Sequence, residues 1–295
     1  MLQRFLDPAT LASIDGLDLV AKTVVDGFVA GLHRSPDFGF SQEFAEYRAY
    51  VQGDDLRHVD WNVFARTDRC YLKRYRGETN TQVTVLLDTS ASMAFGSHSV
   101  TKLDFARFMA ASLCYLAHAQ RDAAGLIVFD EDVKNYVAPS TRQGQLFRLL
   151  HAIEKAEPGV RTDFVKPFVH FQQFLHRRGL VVVLSDFYAQ PRTIVRTVEP
   201  VRLRGSDVVL FHILDPQEIR PEFREPVLLF DMEDRSNLEV SPEYARTEYR
   251  GKIDAHVEAL RTEAKRSGID YFLMDTGRPL DEGLREYLAV RQGRM

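Results

Sequence analysis

The chain has 295 residues, of which 45% are hydrophobic and 27% charged, and its formal net charge is −4. This composition is typical of a globular protein with one large domain or two modest ones, and its acidic balance argues against a general nucleic-acid-binding protein. No apolar run approaches the roughly 18 residues of a membrane span. The first residues lack a signal-peptide core, so we expect a cytoplasmic protein without a membrane span.

Residues 1–80 are predicted to form an N-terminal accessory lobe. Apolar residues at helical spacing between Leu17 and Leu32 predict an amphipathic helix. Residues 44–79 mix aromatic, acidic and arginine side chains without a clear period. Four residues here are of types that suit partner binding or packing of the lobe: Arg57, Asp60, Trp61 and Arg66.

Residues 81–295 are predicted to form an α/β domain with a mostly parallel, doubly wound (Rossmann-like) sheet and helices on both faces, because strand and helix patterns alternate. The run Gln82–Asp88 is its first strand, and Thr101 with Asp104 forms a capping box at the next helix. Continuous apolar runs at Leu180–Ser185 and Asp207–Leu214 are typical of buried central strands. Further helices and the last strand are predicted at Leu146–Ile153, Phe164–Leu175, Ile194–Leu203, Pro242–Arg266 and Tyr271–Met274.

Two hairpins are predicted within this domain. Gly125–Phe129 and Asn135–Val137, joined by a tight acidic turn, indicate a hairpin at a sheet edge. Val227–Asp231 and Asn237–Val240 indicate a second hairpin. It forms an insertion at about residues 215–241.

An aspartate and two serines stand at alternate positions at the end of the first strand: Asp88, Ser90 and Ser92. Residues two apart on an extended segment point the same way, so these side chains can converge. The carboxyl ends of strands are where open α/β sheets bind ligands. Because Mg²⁺ takes oxygen ligands, this loop predicts a site for Mg²⁺ or Mn²⁺.

The Asp-x-Ser-x-Ser-Met pattern resembles the first loop of the metal-ion-dependent adhesion site of von Willebrand factor A domains. The resemblance implies that a threonine from a second loop and an aspartate after the fourth strand complete the site. Thr162 and Asp186 match these positions, with Thr141 as a weaker alternative to Thr162. The family often has two glycines directly before the threonine, whereas Gly159-Val160-Arg161 stands here.

A second resemblance covers nearly the whole chain. It rests on Gly31-Leu32-His33-Arg34-Ser35, Glu43-Phe44-Ala45-Glu46-Tyr47-Arg48-Ala49-Tyr50, Gly53-Asp54-Asp55-Leu56-Arg57-His58-Val59-Asp60-Trp61, Ala65-Arg66 and Lys73-Arg74-Tyr75. These stretches are similar to the bacterial domain-of-unknown-function family 58. The resemblance implies a partner, a MoxR-type ATPase of the AAA+ class, and a role in protein maturation or assembly.

Two functions are compatible with these residues. Two carboxylates and three hydroxyls leave a divalent ion an open position, which an acidic side chain of a partner protein can fill. The alternative is a metal-dependent phosphoester hydrolase with Asp88 as phosphoryl acceptor, but that chemistry generally needs a second acid two residues on, where this chain has Ser90. A serine nucleophile needs a positioned base, and the first loop supplies no histidine except His98, which lies beyond a glycine. We therefore expect an adaptor or co-chaperone rather than an enzyme.

Overall fold

The computed structural model describes residues 7–32, 44–49, 63–64, 66, 69–75, 82–159, 164–171, 174, 178–230 and 237–292. The chain divides into two compact units, residues 1–30 with 81–295 and residues 31–80. Residues 1–30 thus group with the sheet, whereas the sequence suggested one lobe for residues 1–80. The burial of Val20 and Val24 in the first long helix agrees with this grouping.

Short elements open the chain and form the second unit. Helix α1 (Pro8–Leu11) precedes the second unit, and helix α2 (Leu17–Leu32) runs into its first residues, since this unit begins at residue 31. Strands β1 (Phe44–Ala49) and β2 (Tyr71–Tyr75) pair antiparallel within it.

Most of the remaining elements alternate as the apolar patterns predict, whereas the helices Pro216–Ile219 and Asp281–Gln292 were not predicted. The strands are β3 (Gln82–Asp88), β4 (Ala123–Phe129), β5 (Val133–Ser140), β6 (Gly179–Ser185), β7 (Asp207–Leu214), β8 (Val227–Phe230), β9 (Asn237–Val240) and β10 (Asp270–Asp275). The helices are α3 (Lys102–Ala119), α4 (Gln145–Glu154), α5 (Lys166–Phe171), α6 (Pro191–Leu203), α7 (Pro216–Ile219), α8 (Pro242–Tyr244), α9 (Arg250–Arg266) and α10 (Asp281–Gln292). A 3₁₀ turn, Ala91–Ala94, follows β3, and a π turn, Ala245–Tyr249, joins α8 to α9.

Six strands form the central sheet in the order β10-β7-β6-β3-β4-β5. Neighbouring strands are parallel except β5, which pairs antiparallel with β4 at one edge. This confirms the doubly wound, von Willebrand factor A-type sheet with an edge hairpin. Strands β8 and β9 form a separate antiparallel hairpin, as expected for the insertion.

The chain reverses its direction of travel across the sheet between β3 and β6. From β3 it moves outward through β4 to β5, and it then returns to β6 and continues through β7 to β10. Such a topological switch point leaves a crevice at the carboxyl ends of the two strands, because their connections leave in opposite directions. The fold therefore brings Asp88 and Asp186, at the carboxyl ends of β3 and β6, to the place where open α/β sheets generally bind ligands.

Apolar side chains on both faces of the sheet form the core. Phe129 packs edge-to-face against Phe164 and Phe168, with ring centroids 6.0 and 5.9 Å apart. The aromatic residues around α5 are thus core residues, and the helix begins two residues later than predicted. Among the described helices, none is both long and apolar enough to cross a lipid bilayer.

Candidate metal centre

Two buried carboxylates lie at the ends of adjacent parallel strands. Asp88 is the last residue of β3 and is fully buried, and Asp186 follows β6 directly and is 1% exposed. The strands pair in register up to Leu87 and Leu184, so both aspartates lie at the carboxyl ends of these two strands. The switch point therefore holds two carboxyl groups that are almost inaccessible to water.

The first loop folds around the carboxylate of Asp88. The backbone N–H of Ser90 donates to Oδ1 of Asp88 over 2.8 Å, and the hydroxyl of Ser185 donates to Oδ2 over 2.5 Å. The 3₁₀ turn that follows keeps the hydroxyl oxygens of Ser90 and Ser92 3.2 Å apart. One loop thus gathers a carboxylate and two neutral oxygen donors.

Burial and a like charge disfavour ionised Asp88. Burial, followed by the nearby charge of Asp186, raises the pKa of Asp88 to about 7, although hydrogen bonds from Ser185 and Ser90 act in the opposite direction. The repulsion between two buried carboxylates falls when one of them takes up a proton or when a cation binds beside them. The pair is therefore suited to bind a metal ion.

A buried lysine also belongs to the site. Lys102, the first residue of α3, is 0% exposed, and its Nζ donates to Oδ2 of Asp186 over 2.8 Å and to Oε1 of Glu218 over 2.7 Å. Burial acts to lower the pKa of Lys102, but the charges of Asp186 and Glu218 outweigh it and raise the pKa above its usual value. The lysine is therefore a permanent cation beside Asp186.

A second group of polar contacts holds Glu218 in place. Glu218 lies in α7, where its Oε2 accepts the backbone N–H of Asp215 over 2.8 Å. The carboxylate of Asp215 accepts the backbone N–H of Ser97 over 2.8 Å and its hydroxyl over 2.5 Å. The loop after β3 is thereby tied to the end of β7.

The backbone directly after Asp186 adopts an unusual conformation. Phe187 has φ = 49°, in the left-handed region, which bulky side chains rarely enter. Its ring is buried against Phe164 and His212, and its carbonyl lies 3.1 Å from Nε2 of His256. Packing and this hydrogen bond hold the turn that directs Asp186 and Tyr188 toward Lys102.

The donor set fits a hard divalent cation. Carboxylate and hydroxyl oxygens are ligands that Mg²⁺ and Mn²⁺ accept, with water completing the shell. When ionised, Asp88, Asp186 and Glu218 carry three negative charges against the one positive charge of Lys102, so a divalent ion balances the cluster. Within the described ranges no group of three or more His, Cys, Asp or Glu is placed to hold a metal. An ion here therefore depends on serine hydroxyls and water.

Four of the five predicted ligands come together at the switch point: Asp88, Ser90, Ser92 and Asp186. Thr162 lies outside the described residues and stays a prediction. The loop that leads to it begins beside the site, because the backbone N–H of Gly159 donates to the carbonyl of Thr89 over 2.6 Å.

The alternative ligand Thr141 is wrong. Thr141 follows the end of β5, and β5 runs antiparallel to β4, so Ser140 pairs with Ala124 at the start of β4. Thr141 therefore lies near the start of β4, at the opposite end of the strands from Asp88 and Asp186. Of the predicted partner-binding residues, Arg57, Asp60 and Trp61 lie outside the described part of the chain, and Arg66 is exposed.

Sequence reasoning missed Lys102, Glu218 and Ser185. A lysine at the first position of a helix is usually solvated, and Glu218 lies in a short helix within a stretch without a clear period. Ser185 did carry a signal, since it is the one hydroxyl in the apolar run Leu180–Ser185 and directly precedes Asp186.

Solved structures with partial similarity cover about three quarters of the chain. BatB from Bacteroides thetaiotaomicron is 12% identical with a TM-score of 0.48, and covers 72% of this chain and 99% of that one. An aerotolerance-related membrane protein from Bacteroides fragilis is 14% identical with a TM-score of 0.47, and covers 73% of this chain and 100% of that one.

Relatives in sequence extend over almost the entire length. An uncharacterized protein of Mycobacterium tuberculosis, Rv1480, is 27% identical over 290 residues, which is 97% of this chain and 91% of the relative. An uncharacterized protein of Mycobacterium bovis, Mb1516, matches to the same extent. The sequence profile described as "Protein of unknown function DUF58" matches residues 46–275, and the chain belongs to that family.

Proposed function

We propose that this protein is a metal-dependent protein-interaction module, an adaptor or co-chaperone of a MoxR-type AAA+ ATPase in protein maturation or assembly. The observation that carries the proposal is the pair of buried carboxylates, Asp88 and Asp186, beside the paired hydroxyls of Ser90 and Ser92. In this proposal Mg²⁺ or Mn²⁺ binds these oxygens, with Thr162 as a fifth protein ligand. The ion supplies an open coordination position, which an acidic side chain of the partner fills.

The hydroxyl groups are not arranged as nucleophiles. Oγ of Ser90 contacts Oγ of Ser92, whereas an acyl-transfer nucleophile needs a base within hydrogen-bond reach. His98 has other partners, since its Nδ1 accepts the backbone N–H of Val100 over 3.3 Å and its Nε2 lies 3.0 Å from the hydroxyl of Thr276. These contacts favour binding over acyl transfer.

Two aromatic side chains lie near the site and reach solvent. Phe95 is 36% exposed and Tyr188 is 43% exposed, and their rings lie 5.9 and 4.7 Å from Nζ of Lys102. Aromatic side chains are common anchors of protein interfaces because they bury a large area at small entropic cost. A partner that places an acid on the metal also gains apolar contact with these rings.

We propose the MoxR-type ATPase as the partner because of the family to which the chain belongs. Asp88→Ala removes the central ligand, and the test is capture of a purified MoxR-type ATPase from the source organism with Mg²⁺ and with chelator. We expect capture by the wild type with Mg²⁺ only, and none by Asp88→Ala. Asp254→Asn, which changes an exposed acid on α9, is the matched control and should bind normally.

Calorimetric titration with Mg²⁺ and Mn²⁺ tests the metal separately. We expect one site in the wild type and none in Asp88→Ala. The proposal fails if neither the pure protein nor its mixture with the ATPase binds either ion. If the metal binds but the ATPase is not captured, only the proposed partner is wrong.

A phosphoester hydrolase remains the second candidate, and Lys102 is the observation in its favour, because phosphoryl transfer uses a lysine near the phosphate. Its Nζ is engaged by Asp186 and Glu218, and the second acid expected at position 90 is a serine. Turnover of p-nitrophenyl phosphate that disappears in Asp88→Ala would establish the hydrolase instead.

A further inference from the structure

We propose that Lys102 is an internal counter-cation of the metal site, which weakens metal binding and at the same time makes the metal-loaded site receptive to an acidic partner. This inference rests on the proposed function. It assigns to Lys102 the roles of competing with the metal for Asp186 and of setting the charge of the site.

The geometry places Lys102 in competition with a metal ion. Its Nζ is 2.8 Å from Oδ2 of Asp186, a carboxylate oxygen that is one of the expected metal donors. The second anchor, Oε1 of Glu218 at 2.7 Å, holds the ammonium in this position from the other side. Both lysine and metal need the negative charge of Asp186, so each lowers the affinity of the site for the other.

Burial makes the competition strong. The side chain of Lys102 is 0% exposed, and those of Asp186 and Glu218 are 1% and 11% exposed. Charges in such a place are screened by protein rather than water, so an ammonium and a divalent ion a few ångströms apart repel strongly. We expect removal of the lysine charge to tighten Mg²⁺ binding by about tenfold or more.

The same charge has the opposite effect on an acidic partner. With Mg²⁺ bound, the cluster of three carboxylates and Lys102 is neutral when all groups are ionised, and without Lys102 it carries one net negative charge. A net negative site repels an incoming carboxylate. Lys102 thus lowers the affinity of the site for the metal and raises its affinity for the partner.

Glu218→Gln is predicted to have the reverse effects. It leaves Lys102 with Asp186 alone and removes one negative charge from the cluster, so Mg²⁺ should bind more weakly. The metal-loaded site is then more positive, and partner capture at saturating Mg²⁺ should strengthen. A loss of structure would lower both quantities, so opposite changes identify an electrostatic role.

The experiment is calorimetric titration of the full-length protein with Mg²⁺ alone. Lys102→Met should bind at least tenfold more tightly than the wild type, Glu218→Gln about tenfold more weakly, and Lys102→Met/Glu218→Gln close to the wild type. The double variant leaves no unpaired carboxylate at position 218, so it tests the charge balance if Lys102→Met fails to fold. Lys252→Met, which changes a lysine at an exposed helix position, is the matched control.

The outcomes separate this inference from the proposed function. If folded Lys102→Met binds Mg²⁺ no more tightly than the wild type, the inference is overturned and the metal site stands. If Lys102→Met does not fold, a double variant whose Mg²⁺ affinity departs tenfold from the wild type overturns it. If no variant and no wild-type protein binds Mg²⁺ or Mn²⁺, both are overturned.

Discussion

Several charged side chains of this protein are buried away from water. Asp88, Lys102 and Asp186 are each at most 1% exposed, and burial of a lone charge costs several kcal/mol. The cluster is tolerable because Lys102 donates to Asp186 and Ser185 donates to Asp88. Because burial of these charges costs free energy, their position at the switch point of the sheet is better explained by a role in binding than by a contribution to stability.

His212 provides a prediction about pH. Burial lowers the pKa of this side chain to about 3, so the folded protein keeps it neutral while the unfolded chain protonates it below about 6.5. Its contribution to stability is therefore complete above pH 6.5 and is lost progressively as the pH falls toward 3. At pH 5 the loss should be about 2 kcal/mol.

The measurement compares His212→Asn with the wild type by urea unfolding at pH 7.5 and pH 5, with chelator present. Asparagine preserves a polar partner for the hydroxyl of Tyr271, which lies 2.7 Å from Nδ1 of His212. The wild type should lose about 2 kcal/mol more than the variant between the two pH values. Equal losses would show that His212 titrates normally.

Among the elements, α3 shows how local signals position a buried functional group. Its N-cap Thr101 accepts the backbone N–H of Asp104 over 3.1 Å, and the carboxylate of Asp104 accepts the hydroxyl and N–H of Thr101 over 2.7 and 3.3 Å. This capping box fixes where the helix begins. The helix start in turn places Lys102, its first residue, in contact with Asp186.

Thr101→Ala is expected to lower the free energy of unfolding by about 1 kcal/mol, because the N-cap hydrogen bond is lost. Chemical denaturation of the metal-free protein measures this. Thr247→Ala is the control, since that hydroxyl only bonds back to the carbonyl of Glu243 in an exposed helix turn, and its change should stay within about 0.5 kcal/mol. A change for Thr101→Ala as small as that of the control would contradict the role of the cap.

The sequence predicted most elements because their apolar period is strong. Strand Asp207–Leu214 and the start of α3 have the predicted bounds, whereas α5 begins at Lys166 rather than at Phe164. Apolar spacing cannot separate a helical residue from one that packs beside the helix, as Phe164 does.

The site was predictable as far as its first-loop motif and the aspartate after the apolar run Leu180–Ser185 reach. Asp88, Ser90 and Ser92 share one segment with a recognisable spacing. Lys102 and Glu218 contribute through contacts between elements distant in the chain, which no local pattern encodes. The left-handed backbone of Phe187 has no sequence signal either, because phenylalanine rarely adopts it.

At the scale of the whole molecule, the division into two units allows their contributions to be separated. Asp88, Ser90, Ser92, Lys102 and Asp186 all belong to the unit formed by residues 1–30 and 81–295. The predicted partner-binding residues Arg57, Asp60, Trp61 and Arg66 belong to residues 31–80. Metal binding and partner binding should therefore respond differently to removal of the second unit.

We expect a variant with residues 31–80 replaced by a Gly/Ser linker of about 12 residues, which spans about 20 Å on average, to unfold cooperatively. Its Mg²⁺ affinity, measured by calorimetry, should lie within about threefold of the wild type, since that variation is below 1 kcal/mol. Its capture of the ATPase should fall. The same deletion carrying Asp88→Ala controls for nonspecific binding, and unchanged capture would exclude residues 31–80 from the interface.

The separation of the site residues along the chain has a consequence for biosynthesis. Ser185 and Asp88 are 97 residues apart, and Glu218 follows Lys102 by 116 residues. Because domains emerge from the ribosome N-terminus first, a nascent chain presents Asp88, Ser90 and Ser92 long before Asp186 and Glu218 exist. The charge balance of the site is complete only after α7 has been synthesised. An unfinished chain thus lacks the complete charge cluster.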